Sequence, residues 1–301
     1  MKPSFFRRSL IASAAALLIT QISACGGSGT GQLKFSVADA PIDGATAVVV
    51  KFTGVEVKPK DGNAVQFDLD TPRSVDLLAT ANGTAAILLD GVTLDAGEYE
   101  FVRLKVVSDR TTTDSYIDLT DGSRSSLFVP SGSQSGLKLN NGFTVPEGGV
   151  LALIVDFDLR HSIVKPEGQE GYMLKPVLRL VDESSIGLIR GTIPSTLITG
   201  AGCTGDANTG AGNAVYVYSG SVSTPDDVGG VGTQPFVSAP VKFDSVSGTY
   251  IYTVAYLPAG SYTAAFTCQA TGDNPETDDA TVFSAPLAAA VTAGAVTTVN
   301  F

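Results

Sequence analysis

Tryptophan is absent from this 301-residue chain, histidine occurs once, methionine twice and cysteine three times. With His161 the only histidine, a Ser-His-Asp relay or a histidine-rich metal centre has one residue to build on, and no G-x-S-x-G elbow exposes a nucleophile. Without tryptophan, and with tyrosines only scattered, the chain lacks the aromatic platforms expected beside sugar-processing carboxylates. Positive charge is scarce: 19 Lys and Arg stand against 30 Asp and Glu, for a formal charge of −11. That balance argues against nucleic-acid binding and against electrostatic docking on anionic lipid. Long helical runs are missing too. What is present, 33 glycines among Val-, Thr-, Phe- and Tyr-rich segments, favours short strands joined by tight turns. The expected fold class is all-β, and the length suits two β-sandwich domains.

The N-terminal apolar segment, residues 10–22, is too short for a membrane span and is interrupted by Ser13, Thr20 and Gln21. It follows Lys2, Arg7 and Arg8 and precedes Ile22-Ser23-Ala24-Cys25. This pattern resembles a bacterial lipobox, which implies a signal peptide over 1–24 and palmitate-type acylation of Cys25. An ordinary secretory signal, leaving Cys25 as a free thiol, is the alternative. Three acyl chains would hold the protein at a bilayer where one chain binds only marginally. Gly26 occupies the place where an aspartate would resemble an inner-membrane retention signal. The resemblance therefore implies the outer membrane of a Gram-negative cell, with the facing side open. Residues 25–31, nearly all Gly, Ser and Thr after the cysteine, read as a flexible tether.

With Cys25 assigned to lipid, Cys203 and Cys268 remain, and an oxidising compartment favours their pairing. Two buried, unpaired thiols are the competing reading.

Strand patterns begin at Gln32. Leu33, Phe35 and Val37 alternate with polar neighbours, Asp39 to Gly44 read as a turn, and 47–57 as a longer strand. Residues 65–69 and 74–78 read as short strands, the latter ambiguous with a helical turn. In residues 151–159, Leu151, Leu153, Val155, Phe157 and Leu159 point one way while Asp156 and Asp158 point the other. That is the pattern of a half-buried strand with a charged outer face. A strand over 172–181 closes the segment.

Asp39-Ala40-Pro41, Val75-Asp76-Leu77-Leu78, Ala96-Gly97-Glu98-Tyr99, the run from Val129 to Leu139, Asp156-Phe157-Asp158 and Leu174-Lys175-Pro176-Val177 occur in an order that resembles the domain of unknown function 4382 family. The resemblance spans about residues 31–182 and implies an envelope lipoprotein with a sandwich-like domain, without supplying a reaction. After a junction at Asp182 to Ser185, Gly187-Leu188-Ile189-Arg190-Gly191-Thr192-Ile193 and Leu257-Pro258-Ala259-Gly260-Ser261-Tyr262 resemble carboxypeptidase regulatory-like, transthyretin-like (prealbumin-like) modules over 186–301. The expected domains are thus 32–182 and 186–301. An L-x-A-G-x-Y pattern occurs in each, at Leu94 and at Leu257.

Asp156 and Asp158, about 7 Å apart on one strand face, are the candidates for a carboxylate pair or a cation site. Solvated structural acids are the expectation for them, and equally for Asp39 and Asp43, Asp226 and Asp227, and Asp278 and Asp279. Calcium needs six to eight oxygens from several segments. Ser131, Gln134 and Ser135 are candidates for a polar binding loop, against a turn that uses Gly132 and Gly136 for its backbone. Residues 224–234 read as an exposed loop. Gly200-Ala201-Gly202-Cys203-Thr204-Gly205 has the letters of a dinucleotide fingerprint without a following helix. No cofactor, catalytic residue or nucleic-acid partner is expected. The functional expectation is a non-enzymatic, lipid-anchored envelope protein with a protein or glycan partner, serving binding, adhesion or surface assembly. The alternatives are a polysaccharide hydrolase using carboxylates and a calcium-stabilised adhesin.

Overall fold

The structure, a computed structural model, describes residues 29–301 apart from 41, 43, 81, 82, 131–134 and 176. Four sheets pack as two face-to-face pairs, making an all-β chain of two β-sandwiches. In the first, one sheet runs β13 (Leu178–Asp182), β10 (Val150–Asp158), β1 (Thr30–Ala40), β4 (Ala86–Asp95). The facing sheet runs β11 (Ile163–Val164), β12 (Tyr172–Leu174), β7 (Arg124–Phe128), β6 (Tyr116–Leu119), β2 (Ala45–Pro59), β5 (Gly97–Val107), β8 (Leu137–Leu139). To it, β3 (Val65–Asp76) adds on β2 and β9 (Phe143–Val145) adds on β5. The second sandwich pairs β17 (Lys242–Asp244), β18 (Thr249–Pro258), β14 (Ile186–Ile193), β21 (Val296–Thr298) with β16 (Val237–Pro240), β15 (Ala214–Ser219), β19 (Gly260–Thr267), β20 (Leu287–Val291).

Period-2 apolar residues build both cores. Leu33, Phe35 and Val37 of β1 and Leu153, Val155 and Phe157 of β10 meet Val50, Phe52 and Val55 of β2 across the first sandwich. Phe52 and Phe157 meet edge-to-face at 6.4 Å, and each such buried ring contributes roughly 1.5–3 kcal/mol. Ile189, Val215, Val217, Val254 and Phe266 fill the smaller second core.

Three local expectations change. Residues 65–76 form one strand, with Phe52 pairing Arg73 and Gly54 pairing Asp68. The intervening residues bulge, so Pro72 owes the ladder no donor. The turn Leu77–Thr80 that follows is 3-10 helical. Residues 172–181 split between two sheets, β12 in one and β13 in the other. Asp39 lies on β1 instead of a turn and is buried. Strands β4, β9, β11, β16, β17 and β20 carry too little strict alternation to be read from the sequence.

The two sandwiches repeat one frame. In each, the first strand pairs antiparallel with the strand before the L-x-A-G-x-Y turn, Thr30 opposite Asp95 and Ile186 opposite Pro258. Each first strand also pairs parallel with a late strand, β1 with β10 and β14 with β21. At both turns the chain crosses from one sheet to the other, and the tyrosine hydroxyl donates to the carbonyl four residues back, Tyr99 to Asp95 at 2.9 Å and Tyr262 to Pro258 at 2.8 Å. The alanine N–H donates to the residue before the first strand, Ala96 to Gly29 and Ala259 to Ser185. Gly148 and Gly294, with φ of +67° and +69°, open the parallel strands and donate to Thr30 and Ile186. A Cβ on Gly31 would lie 2.3 Å from the Pro146 carbonyl oxygen, and one on Gly187 would lie 2.4 Å from that of Thr292. The shared L-x-A-G-x-Y pattern therefore marks one corner built twice, held by a tyrosine hydroxyl where the chain changes sheets.

Candidate functional site at the junction of the sandwiches

Alternation along β10 divides its side chains as the sequence implied, but the outer face is covered. Ile154 packs with Ala38, Val181, Ile186 and Tyr256 in a cluster drawn from both sandwiches. Asp156 is 1% exposed and Asp158 6%. The expected solvated face is therefore a buried one. The physical reason is that period-2 patterning ranks the two faces of a strand by polarity, whereas cover depends on what packs there.

Buried charge is stable only when paired. The Arg179 guanidinium on neighbouring β13 donates to Asp156 Oδ2 and stacks 4.4 Å from the Phe236 ring of the second sandwich. Burial pushes the Asp156 carboxyl up to about 6. Arg179 pulls the other way, and the nearby Asp158 charge adds to the rise. Asp158 caps the short helix Leu159–Ser162, accepting from the His161 backbone N–H at 3.3 Å, and its other oxygen lies 2.7 Å from His161 Nδ1. Arg160 extends from that helix into the second sandwich. Its Nη1 donates to the Tyr216 hydroxyl and the Ala270 carbonyl, each at 3.2 Å, and lies 3.7 Å from Asp273 Oδ2. From the other side Tyr256 reaches back to the Thr80 carbonyl at 3.4 Å. Its φ of +57° is a left-handed conformation that costs a bulky residue about 1–3 kcal/mol. A cleft of about 390 Å³ runs beside this seam, with Ile42, Leu159 and Tyr172 on one wall and Ala270, Asp273 and Pro275 on the other.

Chemically, the seam joins bodies. Asp156 is out of reach of a substrate and neutralised by Arg179. The Asp158–His161 pair has the geometry of the orienting half of a proton relay, yet no serine hydroxyl bonds to His161 among the described residues. Sequence reading singled out Asp156, Asp158 and His161. It missed Arg179 and Tyr256, and only a tyrosine amid the apolar end of β18 could have hinted at a contact outside its own core.

Other sequence candidates fall elsewhere. Cys25, Asp43, Ser131, Gly132 and Gln134 lie outside the described residues, and Ser135 is exposed. Cys203 and Cys268 are joined as a disulfide across 65 positions. The Gly200–Gly205 letters lie in the turn that holds Cys203, with no helix after them. Residues 224–234 are only partly exposed, because Asp227 and Val228 are fully buried there. No helix among the described residues is long and apolar enough to cross a membrane.

Residues 30–176 match the family described as domain of unknown function (DUF4382). No curated protein matches the chain. Among solved structures, a leucine-rich repeat protein of Bacteroides thetaiotaomicron aligns at 15% identity and a TM-score of 0.22, over 91% of this chain and 26% of that one. A protein of Parabacteroides distasonis described as a candidate cell adhesion protein aligns at 12% identity and 0.22, over 86% and 84%. The major pilin of Streptococcus pyogenes, in a point-mutant form, aligns at 13% and 0.16, over 91% and 98%. The chain thus spans about a quarter of the first of these and a third of the Bacillus anthracis TIE protein.

Proposed function

We propose that this is a lipid-tethered protein of the bacterial cell envelope, held through Cys25, whose two sandwiches present a surface for non-enzymatic binding in adhesion or surface assembly. The observation that carries the reading is the use made of the clustered acids and bases. Asp156, Asp158, Arg160 and Arg179 are spent in the seam between the sandwiches, making one two-part body suited to display. The lipobox-like segment ahead of a Gly- and Ser-rich stretch supports the tether. Transthyretin-like character of 186–301 and an outer-membrane location belong to the same proposal.

Metabolic labelling with an alkyne palmitate analogue tests it. The wild type is expected to carry the label and to fractionate with membranes, and Cys25→Ser to lose both. A Cys25→Ser chain that kept the label would sink the tether. Pulldown from solubilised membranes is expected to retrieve a reproducible envelope partner. Glycan hydrolysis abolished by Asp156→Asn, with circular dichroism unchanged, would replace the binding reading with an enzymatic one.

A further inference from the structure

Two long irregular loops cover the outer face of the β15–β19 sheet. The 220–236 loop joins β15 to β16, and the 268–286 loop, regular only in a 3-10 turn at Ala270–Gly272, joins β19 to β20. Loops of this length with so little secondary structure of their own are uncommon in compact domains and are often functional. Their apolar support is thin: Tyr216, Tyr218, Val228 and Ala265, with Val222 and Phe283 beside them. Where the loops meet, five aspartates converge. Carboxylate oxygens of Asp226, Asp227 and Asp278 lie within 4.8 Å of one another, as do those of Asp227, Asp273 and Asp279. Asp227 belongs to both triads.

Acidic side chains gathered on a surface need no ligand, but Asp227 is not on the surface. It is 0% exposed, and although its Oδ2 accepts the Asp279 N–H at 2.7 Å, its Oδ1 is buried without any hydrogen-bond partner. The Asp273 side chain is likewise 0% exposed. Among the described residues, the cation that approaches the cluster is Arg160, at 3.7 Å from Asp273. A buried carboxylate oxygen with neither donor nor counter-charge is costly.

The geometry points to a divalent-cation site between these loops, with calcium as its ion and Asp227 as the ligand shared by both carboxylate triads. Oxygen donors select a hard cation, and the cluster contains no histidine or thiolate to favour zinc. Calcium accepts six to eight oxygens in irregular geometry, whereas magnesium demands a near-ideal octahedron and keeps its waters. The two loops meet closely beside the cluster, where a Cβ on Gly229 would sit 2.7 Å from the Thr277 carbonyl oxygen and 2.9 Å from that of Pro275. Gly229 and Gly230, at φ of +113° and +60°, let the loops approach so closely. Exposed Asp278 at the rim and buried Asp227 at the base give the ion a way in. The ion would add a clamp to loops already linked by hydrogen bonds, Asp279 N–H to Asp227 and Val228 N–H to Asp273, stabilising the second sandwich where the seam meets it at Asp273.

Tyrosines supply a direct readout, since the Tyr218 hydroxyl bonds the Asp226 backbone and the Tyr216 hydroxyl bonds Asp273 Oδ2. The chelator-stripped full chain, in detergent, is titrated with terbium alone and then with calcium. Tyrosine-sensitised terbium emission is expected to saturate at one ion per chain, with calcium displacing it at a Kd tighter than about 10⁻³ M and magnesium at least about tenfold more weakly. Calcium is also expected to raise the melting temperature. Asp227→Asn should abolish the sensitised emission. Should that chain fail to fold, Asp278→Asn at the exposed rim should still raise the calcium Kd about tenfold, while Asp61→Asn in the first sandwich changes nothing. Emission undiminished in both Asp227→Asn and Asp278→Asn, or a wild type whose melting temperature ignores millimolar calcium, would overturn the site. Neither result depends on the lipid tether or on a partner.

Discussion

One frame, built twice, is closed in two different ways. The first sandwich relies on apolar mass: β1, β2, β5 and β10 contribute long alternating stretches, and Phe52 meets Phe157 at its centre. The second has shorter strands and a smaller core, and adds a disulfide between Cys203 and Cys268 and two loops bearing aspartates. The comparison teaches that the corner tyrosine and the glycine crossing specify the frame, while stability comes from whatever fills and staples it.

The largest expected effect lies on the staple. Replacing Cys203 and Cys268 together by Ala should destabilise the second sandwich by about 3 kcal/mol, below the roughly 4 kcal/mol that chain entropy alone assigns to such a loop. Hydrogen exchange resolved by segment should show the loss confined to residues 186–301. Equal loosening of both sandwiches would mean that they unfold as one unit.

Next comes the shared crossing. Gly31→Ala and Gly187→Ala each drive a Cβ into a backbone carbonyl, and each should cost its own sandwich about 2 kcal/mol. Denaturant unfolding that found one substitution harmless would break the equivalence of the two frames.

The smallest effect sharpens the seam. Asp156 has a folded pKa of about 6 against an ordinary 3.8, so the folded chain holds this proton more tightly than the unfolded one. Its stabilising contribution is full below about pH 4 and is lost as pH rises through 6, at no more than about 1.4 kcal/mol per pH unit. Asp156→Asn should remove that slope from the melting temperature between pH 4 and 6. A slope unchanged in the variant would assign the titration to another group.

Much of the frame was legible. The alternation of residues 151–159 placed Leu153, Val155 and Phe157 inward, and the two L-x-A-G-x-Y turns stood out. The second echo, Val145-Pro146-Glu147-Gly148-Gly149-Val150 against Val291-Thr292-Ala293-Gly294-Ala295-Val296, was equally present but too generic to notice until the hydrogen bonds aligned it. Asp156 and Asp158 were visible as a pair on one face, yet their burial was not, because the groups that cover them come from 23 residues away at Arg179 and from the second sandwich at Tyr256 and Phe236. Residues 224–234 looked exposed because Asp, Gly and Thr dominate them. Asp227 is buried because a second loop, reaching it at Asp279 from 52 positions on, closes over it.

Local chemistry thus determined the strongly alternating strands, the corners, the disulfide partners and which side chains share a face, since each depends on residues near in sequence or on the scarcity of alternatives. Only the tertiary structure decided which polar faces lost their water. Desolvation is set by what packs above a residue, and at Asp156 and Asp227 that cover arrives from distant segments whose approach no local pattern encodes.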